Sequence, residues 1–448
     1  MSSDERVLGR VTIGELLKIG VIRAHKDGNY GSLYPKIDDF GEEGIPLLTA
    51  KVVNAGRIRF EEAAKLCEEK ANALTYGFIE PDDVLLSHNA TVGRVAVVPE
   101  FNGRALIGTS LTYFRLDKSR LLPRYLAAFF SSTDFQNQLS AVMGLSTRNQ
   151  VPITAQRLLS VVVPSMRTQQ HISQMLGALD DRIALLRETN ATLEAIAQAM
   201  FKSWFVDFDP VHAKQQGRAP EGMSEATAAL FPDSFEESEL GLVPRGWKVG
   251  RVGDFAKQHK GSINPLQNPE TLYEHFSLPA FDSQHMPVLE LGTEIKSNKT
   301  SVPPDAVLLS KLNPHIPRVW LPVDVGSNAV CSTEFLVFVP AGGASKEFIY
   351  CAFTTPKFKE LLCQLVTGTS NSHQRVKPDG VSNMSAVLPP QEVLEVFADV
   401  VKPMFERIGH NLGKSQTLAT LRDTLLPRLI SGQLRLPQAE AALEAVSV

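Results

Sequence analysis

The sequence repeats itself once along its 448 residues, and this duplication limits the possible folds more than any other feature. The segment 82–98 resembles 304–321, and both contain the run Val-Leu-Leu-Ser. Further matches at nearly the same spacing, about 224 residues, pair 123–136 with 346–359 and 144–150 with 368–374. Because many matches share one spacing, we interpret the chain as two copies of a unit of about 220 residues.

Each copy begins with a region that has the pattern of a globular domain. Residues 1–165 and 241–389 combine short runs of β-forming residues with a helical stretch and with turns rich in Gly, Pro and Asn. This mixture is typical of a compact domain with both helices and strands. We therefore predict a mixed α/β fold with two similar globular domains and a pseudo-two-fold internal repeat.

Each copy ends in a segment with the pattern of a long helix. Residues 166–208 and 390–433 carry apolar residues at the heptad spacing of coiled coils. Asn190 takes a core position in the first helix, and Asn411 and Ser415 fall on the apolar seam of the second. A polar residue at such a position commonly fixes the register of two paired helices.

The two long helices could pack on their own domains or on each other. Their length and the matching phase of their apolar residues favour a pair of antiparallel coiled-coil helices between the two domains. About 40 residues at 1.5 Å per residue span roughly 60 Å, so such a pair would keep the domains at a fixed distance. Pro403 and Gly413 should weaken or kink the second helix.

The two remaining segments are polar and lack a clear periodic pattern. Residues 209–240 contain Pro and Gly and end in an acidic run, which predicts a linker or solvated loop. Residues 434–448 are expected to form a frayed tail.

Composition excludes several classes of protein. The net charge of −4 argues against a protein that is basic over its whole surface, and no apolar run is long enough to span a membrane. The charged N-terminus predicts no secretory signal. The four cysteines form no C-x-x-C pair, which argues against a zinc site or a disulfide framework. We therefore expect a cytoplasmic protein that binds neither metal nor membrane.

Catalytic motifs are missing from the sequence. The run 409–415, GHNLGKS, resembles a phosphate-binding loop, but it has three residues between its glycines instead of four and lies within the second heptad segment. No G-x-S-x-G, H-E-x-x-H or G-x-G-x-x-G motif is present. A recognition protein or a scaffold is therefore favoured over an enzyme.

Polar loops recur at corresponding places in the two copies. In each copy a Leu-Leu-Ser strand leads into an irregular loop, a hydroxyl pair precedes the next strand, and a Gly/Ser/Thr-rich loop follows later. Arg, Asn, Gln and Lys read base edges, while Ser and Thr bind phosphates and sugars. Two such sets suit two half-site readers on one DNA duplex. The candidate DNA-binding residues are Ser87, His88, Asn89, Arg94, Thr109, Ser110, Ser146, Thr147, Arg148, Asn149, Gln150, Lys311, Asn313, His315, Arg318, Thr333, Ser370, Asn371, His373, Gln374, Arg375 and Lys377.

Ordinary solvated turns would explain the composition of these loops equally well. Basic and acidic residues are nearly balanced in both globular regions. If the chain binds DNA, we therefore expect a modest dependence on salt, or binding that needs a partner.

Four stretches resemble the specificity subunit of type I restriction–modification systems. FKSWFVDFDPVHAK at 201–214 is similar to the end of that family's central conserved region, and GLVPRGWKVGRVGDF at 241–255 is similar to the opening of its second target-recognition domain. LPPQEVLEVFADVV at 388–401 and TLRDTLLPRLISGQLRL at 420–436 are similar to its distal conserved region. Together with the repeat, the resemblance covers nearly the whole chain.

The resemblance implies that each globular domain reads one half of a bipartite, asymmetric target in double-stranded DNA. It implies that the helices set the spacer and dock two modification subunits, which carry adenine-N6 methyltransferase activity. Restriction subunits with translocase and nuclease activity would complete the complex. Partner subunits would then bind S-adenosylmethionine, ATP and Mg²⁺, and this chain would supply no catalytic residue and hold no cofactor.

The resemblance also suggests partner-binding positions on the helices. These candidates are expected to be exposed and to form docking or bundle contacts, with burial against the adjoining domain as the alternative: Phe201, Trp204, Phe205, Leu425, Leu426 and Leu429. Two other functions remain open from the residues alone. The chain could be a coiled-coil protein-interaction scaffold without DNA specificity, or a DNA enzyme that acts by itself.

Overall fold

A computed structural model of the chain describes residues 8–54, 56–144, 149–367 and 374–430. The chain forms two compact units. Unit 1 contains residues 1–185 and 414–448, and unit 2 contains residues 186–413. Both boundaries fall inside long helices, so each unit consists of one globular domain with a part of each helix. We use the names domain 1 and domain 2 for the globular parts within 1–165 and 241–389, and the six-segment division of the chain stays a prediction.

Domain 1 is built from short strands and helices. Its strands are β1 Gly9–Thr12, β2 Ile22–Asp27, β3 Phe40–Gly41, β4 Ile45–Leu48, β5 Val53–Asn54, β6 Arg57–Ile58, β7 Ala64–Leu66, β8 Val84–Ser87, β9 Val95–Val97, β10 Leu106–Ile107, β11 Leu111–Leu116 and β12 Ser160–Val163. Its helices are α1 Ile13–Lys18, α2 Glu68–Asn72, α3 Pro123–Ser131, α4 Thr133–Gly144 and α5 Ile153–Gln156.

The first long helix and the segment after it contain α6 Met166–Phe205, α7 Asp209–Gln215, α8 Glu225–Ala229, β13 Phe235–Ser238 and β14 Gly241–Pro244. The strands of domain 2 are β15 Lys248–Arg251, β16 Ala256–His259, β17 Ser262–Ile263, β18 Leu272–Phe276, β19 Val288–Leu291, β20 Lys299–Ser301, β21 Val307–Ser310, β22 Val319–Trp320, β23 Ala329–Cys331, β24 Phe335–Pro340, β25 Val366–Thr367, β26 Arg375–Val376 and β27 Ser385–Leu388. Its helices are α9 Val252–Phe255, α10 Leu278–Gln284, α11 Lys346–Phe353, α12 Pro356–Gln364 and α13 Pro378–Ser382, and α14 Gln391–Ile430 follows them.

The same strand order occurs in both domains. One four-stranded sheet has the order β2-β11-β8-β9 in domain 1 and β16-β24-β21-β22 in domain 2, with antiparallel pairing throughout. A two-stranded sheet joins the start of each domain to its end, as β1-β12 and as β15-β27. The predicted mixed α/β class and the internal repeat are therefore confirmed.

A second sheet differs between the domains. It has four strands in the order β10-β4-β7-β3 in domain 1 and five strands in the order β17-β20-β23-β18-β19 in domain 2. Both versions keep one parallel pair, β10 with β4 and β18 with β23. The duplication therefore preserves the first sheet and this parallel contact, while the outer strands vary.

The central strands of the repeated sheet have apolar side chains on both faces and are buried. All four residues of β8 and of β21, which share the sequence Val-Leu-Leu-Ser, are buried. A strand that is covered on both faces reads as a continuous apolar run instead of an alternating one. Helices α3 and α11 contact these strands and bury the aromatic residues Phe129, Phe130 and Phe348.

The two long helices are antiparallel within unit 2. The Asn411 side-chain amide donates a hydrogen bond to Asn190 Oδ1 at 2.8 Å, and the Asn190 amide donates to the Ile408 carbonyl at 3.3 Å. Further along, the Phe201 ring lies 5.8 Å from the ring of Phe397. Moving forward along α6 thus means moving backward along α14, as predicted. The buried asparagine pair satisfies its own polar groups inside an apolar seam.

Unit 1 contains its own contact between the two long helices, a salt bridge of 2.8 Å from Arg422 to Asp180. Pro403 and Gly413 do not end the second helix, because α14 is continuous from Gln391 to Ile430. Gly409 of this helix has a separate steric role, since a Cβ atom there would lie 2.2 Å from a Val323 methyl group. The predicted continuation to 433 and the tail 434–448 lie outside the described residues.

The segment predicted as a linker, 209–240, is folded in the structure. It contains α7, α8 and β13, which pairs with β14, and it buries Val211 and Phe231. The prediction of a solvated loop is wrong because a few aromatic residues within a polar sequence suffice to pack the segment. The Phe231 ring meets the Trp204 ring edge-on at 5.4 Å and thereby closes the segment over the end of α6.

Candidate nucleic-acid interface

The irregular loop that follows β8 is held closed by a buried serine. Ser87 donates its backbone N–H to the Arg94 carbonyl at 2.8 Å, and its side-chain oxygen accepts from the Arg94 backbone N–H at 2.8 Å. The Ser87 hydroxyl also donates to the Thr91 carbonyl. Because Ser87 is fully buried, its role is to shape the loop, and the prediction that it binds DNA is corrected.

Domain 2 closes its loop with the matching serine, although the hydroxyl of that serine has a different donor, the Leu312 N–H. Ser310 donates its backbone N–H to the Arg318 carbonyl at 2.9 Å, and its hydroxyl donates to the Leu312 carbonyl at 3.1 Å. Each loop contains one residue other than glycine in the left-handed region, Ala90 with φ 63° and Asn313 with φ 51°. The two loops therefore begin alike, with the left-handed residue at the third position, although the loop of domain 2 is one residue longer. We call residues 88–94 and 311–318 the reading loops.

The reading loops meet the later polar loops, as the sequence alone could not show. In domain 1, the Ala90 N–H donates to the Asn149 carbonyl at 3.2 Å, and the Val151 N–H donates to the His88 carbonyl at 2.8 Å. In domain 2, the Asn313 N–H donates to the Gln374 carbonyl at 2.9 Å. The Val376 N–H also donates to the Lys311 carbonyl there, at 3.0 Å. Two segments more than 50 residues apart thus form one surface in each domain.

The hydroxyl pair before β11 joins the same surface. The His88 N–H donates to the Ser110 carbonyl at 3.0 Å, and Ser110 Oγ accepts from the Ala50 N–H at 2.8 Å. In domain 2 the Lys311 N–H donates to the Glu334 carbonyl at 2.9 Å. Ser110 therefore holds loops together in domain 1, with its hydroxyl already engaged by the backbone.

Two arginines that were candidate base readers point into the protein. Arg94 Nη1 donates to the Ala50 carbonyl at 2.9 Å and to the Val53 carbonyl at 3.1 Å. Arg318 forms a two-pronged salt bridge to Asp282, with distances of 2.7 and 2.8 Å. Both guanidinium groups tie a reading loop to the segment that follows a strand of the second sheet. We correct their predicted role from base contact to positioning.

His88 is also buried, with 7% of its surface exposed. Neither ring nitrogen has a hydrogen-bond partner in the described part of the chain, and burial lowers the pKa of the imidazole below its ordinary value. The ring is therefore neutral near pH 7 and lies below the loop surface, so its predicted direct contact with DNA is not supported by the geometry.

The remaining described candidates keep exposed or half-buried side chains on this surface. They are Asn89, Thr109, Asn149 and Gln150 in domain 1, and Lys311, Asn313, His315, Thr333, Gln374, Arg375 and Lys377 in domain 2. Arg375 is exposed and forms a salt bridge to Glu334 at 2.8 Å. The candidates Ser146, Thr147, Arg148, Ser370, Asn371 and His373 lie outside the described residues.

Sequence reasoning missed one element of this surface, which we name the basic arm. It consists of residues 50–54 and 56–59, in which β5 and β6 pair as an antiparallel ribbon. The arm carries Lys51, Arg57 and Arg59, all exposed. The available signal was three cationic residues within nine positions, but their place beside the reading loop depends on contacts made some 40 residues later, with Arg94.

Comparison with known proteins agrees with this geometry. Residues 26–195 match the family model described as the type I restriction modification DNA specificity domain. The MjaIX specificity subunit of Methanocaldococcus jannaschii is 24% identical over 420 residues, with 90% of both chains covered. The HindI specificity subunit of Haemophilus influenzae is 25% identical over 406 residues, covering 80% of this chain and 87% of the relative.

The chain is thus similar to type I restriction enzyme specificity subunits over most of its length, and residues 26–195 match their DNA specificity domain. A solved type I specificity subunit from M. genitalium has a similar fold, with a TM-score of 0.50 at 12% identity over 94% of this chain and 95% of the other. Within the described ranges of the chain, every helix is too short or too polar to count as a candidate membrane span. The same part of the chain contains no group of His, Cys, Asp or Glu residues suited to hold a metal ion.

The six residues predicted to bind partner subunits are not exposed. Phe201 and Trp204 are buried in the core of unit 2, and Phe205 packs against that core. Leu425, Leu426 and Leu429 are buried as well. Their side chains serve packing, so the expectation of an exposed docking surface at these six positions is wrong. The alternative of bundle contacts holds for Phe201, Trp204 and Phe205, whose rings contact Phe397 of α14. Heptad spacing identifies a buried stripe on a helix, but it does not identify which neighbour covers that stripe.

Proposed function

We propose that this specificity subunit recognises DNA by presenting two equivalent loop surfaces, each of which reads one half of a bipartite, asymmetric target. The observation that carries this proposal is the repeated joining of a reading loop to a second polar loop at the same end of the same strand. Both domains use equivalent backbone hydrogen bonds at this junction, while the side chains differ. Two half-sites of different sequence can be read by the same loop backbone when the loops carry different side chains.

The chain's own residues supply recognition in this proposal and no catalytic step. Methyl transfer and cleavage belong to two modification subunits and to restriction subunits, which bind S-adenosylmethionine, ATP and Mg²⁺. The alternative of a scaffold without DNA specificity has no support from the relatives, whose names describe specificity subunits.

The test of recognition uses the full chain purified with a modification subunit from the same organism. Mapping methylated adenines in the host genome supplies the bipartite sequence, and a duplex with both halves scrambled serves as the control. We expect at least about 1,000-fold tighter binding of the bipartite duplex at physiological salt, as for other specific DNA-binding proteins. Equal affinity for the two duplexes would contradict the proposal.

We further propose that the paired long helices set the length of the spacer between the half-sites. Four residues added to α6 near Asn190 and four to α14 near Asn411 lengthen each helix by about 6 Å. The tolerated spacer should then grow by one or two base pairs, because base pairs are about 3.4 Å apart. A four-residue insertion into the loop 216–224, outside the long helices, is the matched control and should leave the spacer unchanged. An unchanged spacer in the helix variant would rule out this role of the helices.

A further inference from the structure

We propose that the basic arm of domain 1 is a second DNA-contacting element, which binds phosphates of double-stranded DNA beside the reading loop. The inference rests on the proposed function and extends it, because the arm lies outside all the loops that the sequence pattern marked as candidates. It also predicts that the two half-sites are held unequally, since helix α10 occupies the corresponding place in the described part of domain 2.

The arm has the chemistry of a phosphate-binding ribbon. Lys51, Arg57 and Arg59 are exposed, Asn54 is exposed beside them, and no acidic residue lies within residues 50–59. Lysine and arginine side chains provide most protein contacts to the DNA backbone. Glu62 contacts the arm by pairing with Arg59 at 2.6 Å in an exposed position, where such pairs contribute little energy.

The arm is fixed to the reading loop and is not a free extension. Arg94 lies at the end of that loop. Its side chain donates hydrogen bonds to the carbonyls of Ala50 and Val53, which belong to the first part of the arm. Ser110 accepts from the Ala50 N–H, and Gly56 forms a β-bridge with Ala96, just after the reading loop. A duplex that reaches the reading loop is therefore presented with the cations of the arm in a preset position, so little conformational entropy is lost when they bind.

The corresponding place in domain 2 has a different character. Arg318 reaches the segment after β18, as Arg94 reaches the segment after β4, but its partner is the carboxylate of Asp282 in α10. Residues 278–284 contain no lysine or arginine. The arginine at the end of the reading loop thus contacts a basic ribbon in domain 1 and a helix with one acidic residue in domain 2.

The experiment compares two triple variants of the full chain, purified with its modification subunit. The first variant, K51Q/R57Q/R59Q, removes the charges of the arm. The matched control, K18Q/R23Q/K118Q, removes three exposed charges near the opposite end of β11, where Ile22 pairs with Leu116. Affinities for the bipartite and the scrambled duplex are measured between 50 and 200 mM salt, and thermal melting verifies that both variants fold.

We expect the arm variant to lose affinity for both duplexes by the same factor and to bind with a shallower salt dependence. The slope of log K against log salt should decrease by about 2 to 3, because each lost phosphate contact accounts for about 0.9. The control should retain the slope of the wild type. An unchanged slope in the arm variant, an equal change in the control, or a loss confined to the bipartite duplex would each overturn the inference. Failure of the wild type to distinguish the two duplexes would instead overturn the proposed function.

Discussion

Domain 1 and domain 2 share the strand order of one sheet, but several positions that are charged or polar in domain 1 are apolar in domain 2. In domain 1, Asp83 is buried just before β8 and forms a two-pronged salt bridge to Arg115 of β11, with distances of 2.9 and 2.8 Å. The strand register places Ala306 and Val339 at the same two positions of domain 2. The two positions thus hold an ion pair in one copy and two apolar residues in the other.

A second exchange lies next to the polar loops. In domain 1, His25 Nε2 lies 3.0 Å from Gln156 Oε1, and Thr112 donates to the same oxygen at 3.0 Å. The Gln156 amide donates to the Val151 carbonyl at 3.0 Å, so this buried network reaches the segment beside the reading loop. In domain 2 the equivalent positions hold Gln258, Leu336 and Val381, of which the last two are buried.

The comparison teaches that the loop surface does not depend on one particular core. The backbone hydrogen bonds that close the reading loops and join them to the later polar loops recur in both domains, whereas the side chains beneath them have diverged between polar and apolar sets. Polar networks and apolar packing can fill the same space, provided that every buried polar group has a partner. Domain 1 should therefore be the copy that a single substitution or a change of pH damages most.

The largest effect is expected from breaking the buried ion pair of domain 1. R115M leaves the Asp83 carboxylate buried without its cation, which should reduce the free energy of unfolding of domain 1 by about 3 to 5 kcal/mol. Hydrogen exchange of β8 and β11 measures this loss. Tryptophan fluorescence follows unit 2 separately, because Trp204, Trp247 and Trp320 all lie in that unit.

The double variant D83A/R115V, which copies the residues of domain 2, sharpens this test. It removes both charges together, so most of the stability lost in R115M should return. Two results would contradict this view: no effect of R115M on hydrogen exchange in domain 1, or a double variant no more stable than R115M. Either result would mean that the apolar pair of domain 2 cannot replace the ion pair of domain 1.

A smaller effect is expected from acid, and it should depend on His25. Burial lowers the pKa of His25 to about 4, so below pH 6.5 the unfolded chain binds a proton that the folded domain excludes. This contribution to stability is complete above pH 6.5 and is lost as the pH falls toward 4, by about 3 kcal/mol at most. Hydrogen exchange of β2 and β11 at pH 7 and pH 5 measures the loss.

The variant H25Q places the domain 2 residue type in domain 1 and removes this titration. Its stability should decrease less between pH 7 and pH 5 than that of the wild type. Burial also lowers the pKa of His88, so H25Q should remove a part of the acid sensitivity and not all of it. An identical pH dependence in wild type and H25Q would mean that the buried imidazole is not responsible.

The smallest effects are expected from substituting Arg94 and Arg318, the arginines at the ends of the two reading loops. R94M removes hydrogen bonds to two backbone carbonyls and should raise hydrogen exchange in the basic arm by an amount equivalent to about 1 to 3 kcal/mol. R318M should affect α10 by less than about 1 kcal/mol, because the Asp282 side chain is 49% exposed and water can replace its partner. Equal effects of the two substitutions would remove this difference between the domains.

The sequence predicted the repeat, the mixed α/β class and the antiparallel helices. Each of these depends on the order and spacing of residues along the chain, which can be seen without the folded structure. Val-Leu-Leu-Ser at two places predicts two equivalent buried strands, and Asn190 within a heptad predicts a polar pair in the seam. The folded segment 209–240 was not predicted, because its stability depends on aromatic contacts such as Phe231 with Trp204, which join residues far apart in the chain.

The site was predicted only in outline. The loops were found from their composition, but composition does not state which way a side chain points. Arg94 and Arg318 were taken for base readers, whereas an arginine at a loop end can equally satisfy carbonyls or a carboxylate of a neighbouring segment. The basic arm was missed for the same reason, since only the folded chain brings residues 50–59 to residue 94.

The course of α6 and α14 through both units has a consequence for synthesis on the ribosome. Unit 2 is continuous in sequence, so all of its residues are present once residue 413 has emerged. Unit 1 needs residues from 414 onward to complete the packing around the first part of α6. The domain that is translated first is therefore finished last, and a nascent chain that stops before residue 414 carries an uncovered apolar stripe, which makes it a ready target for chaperones and proteases.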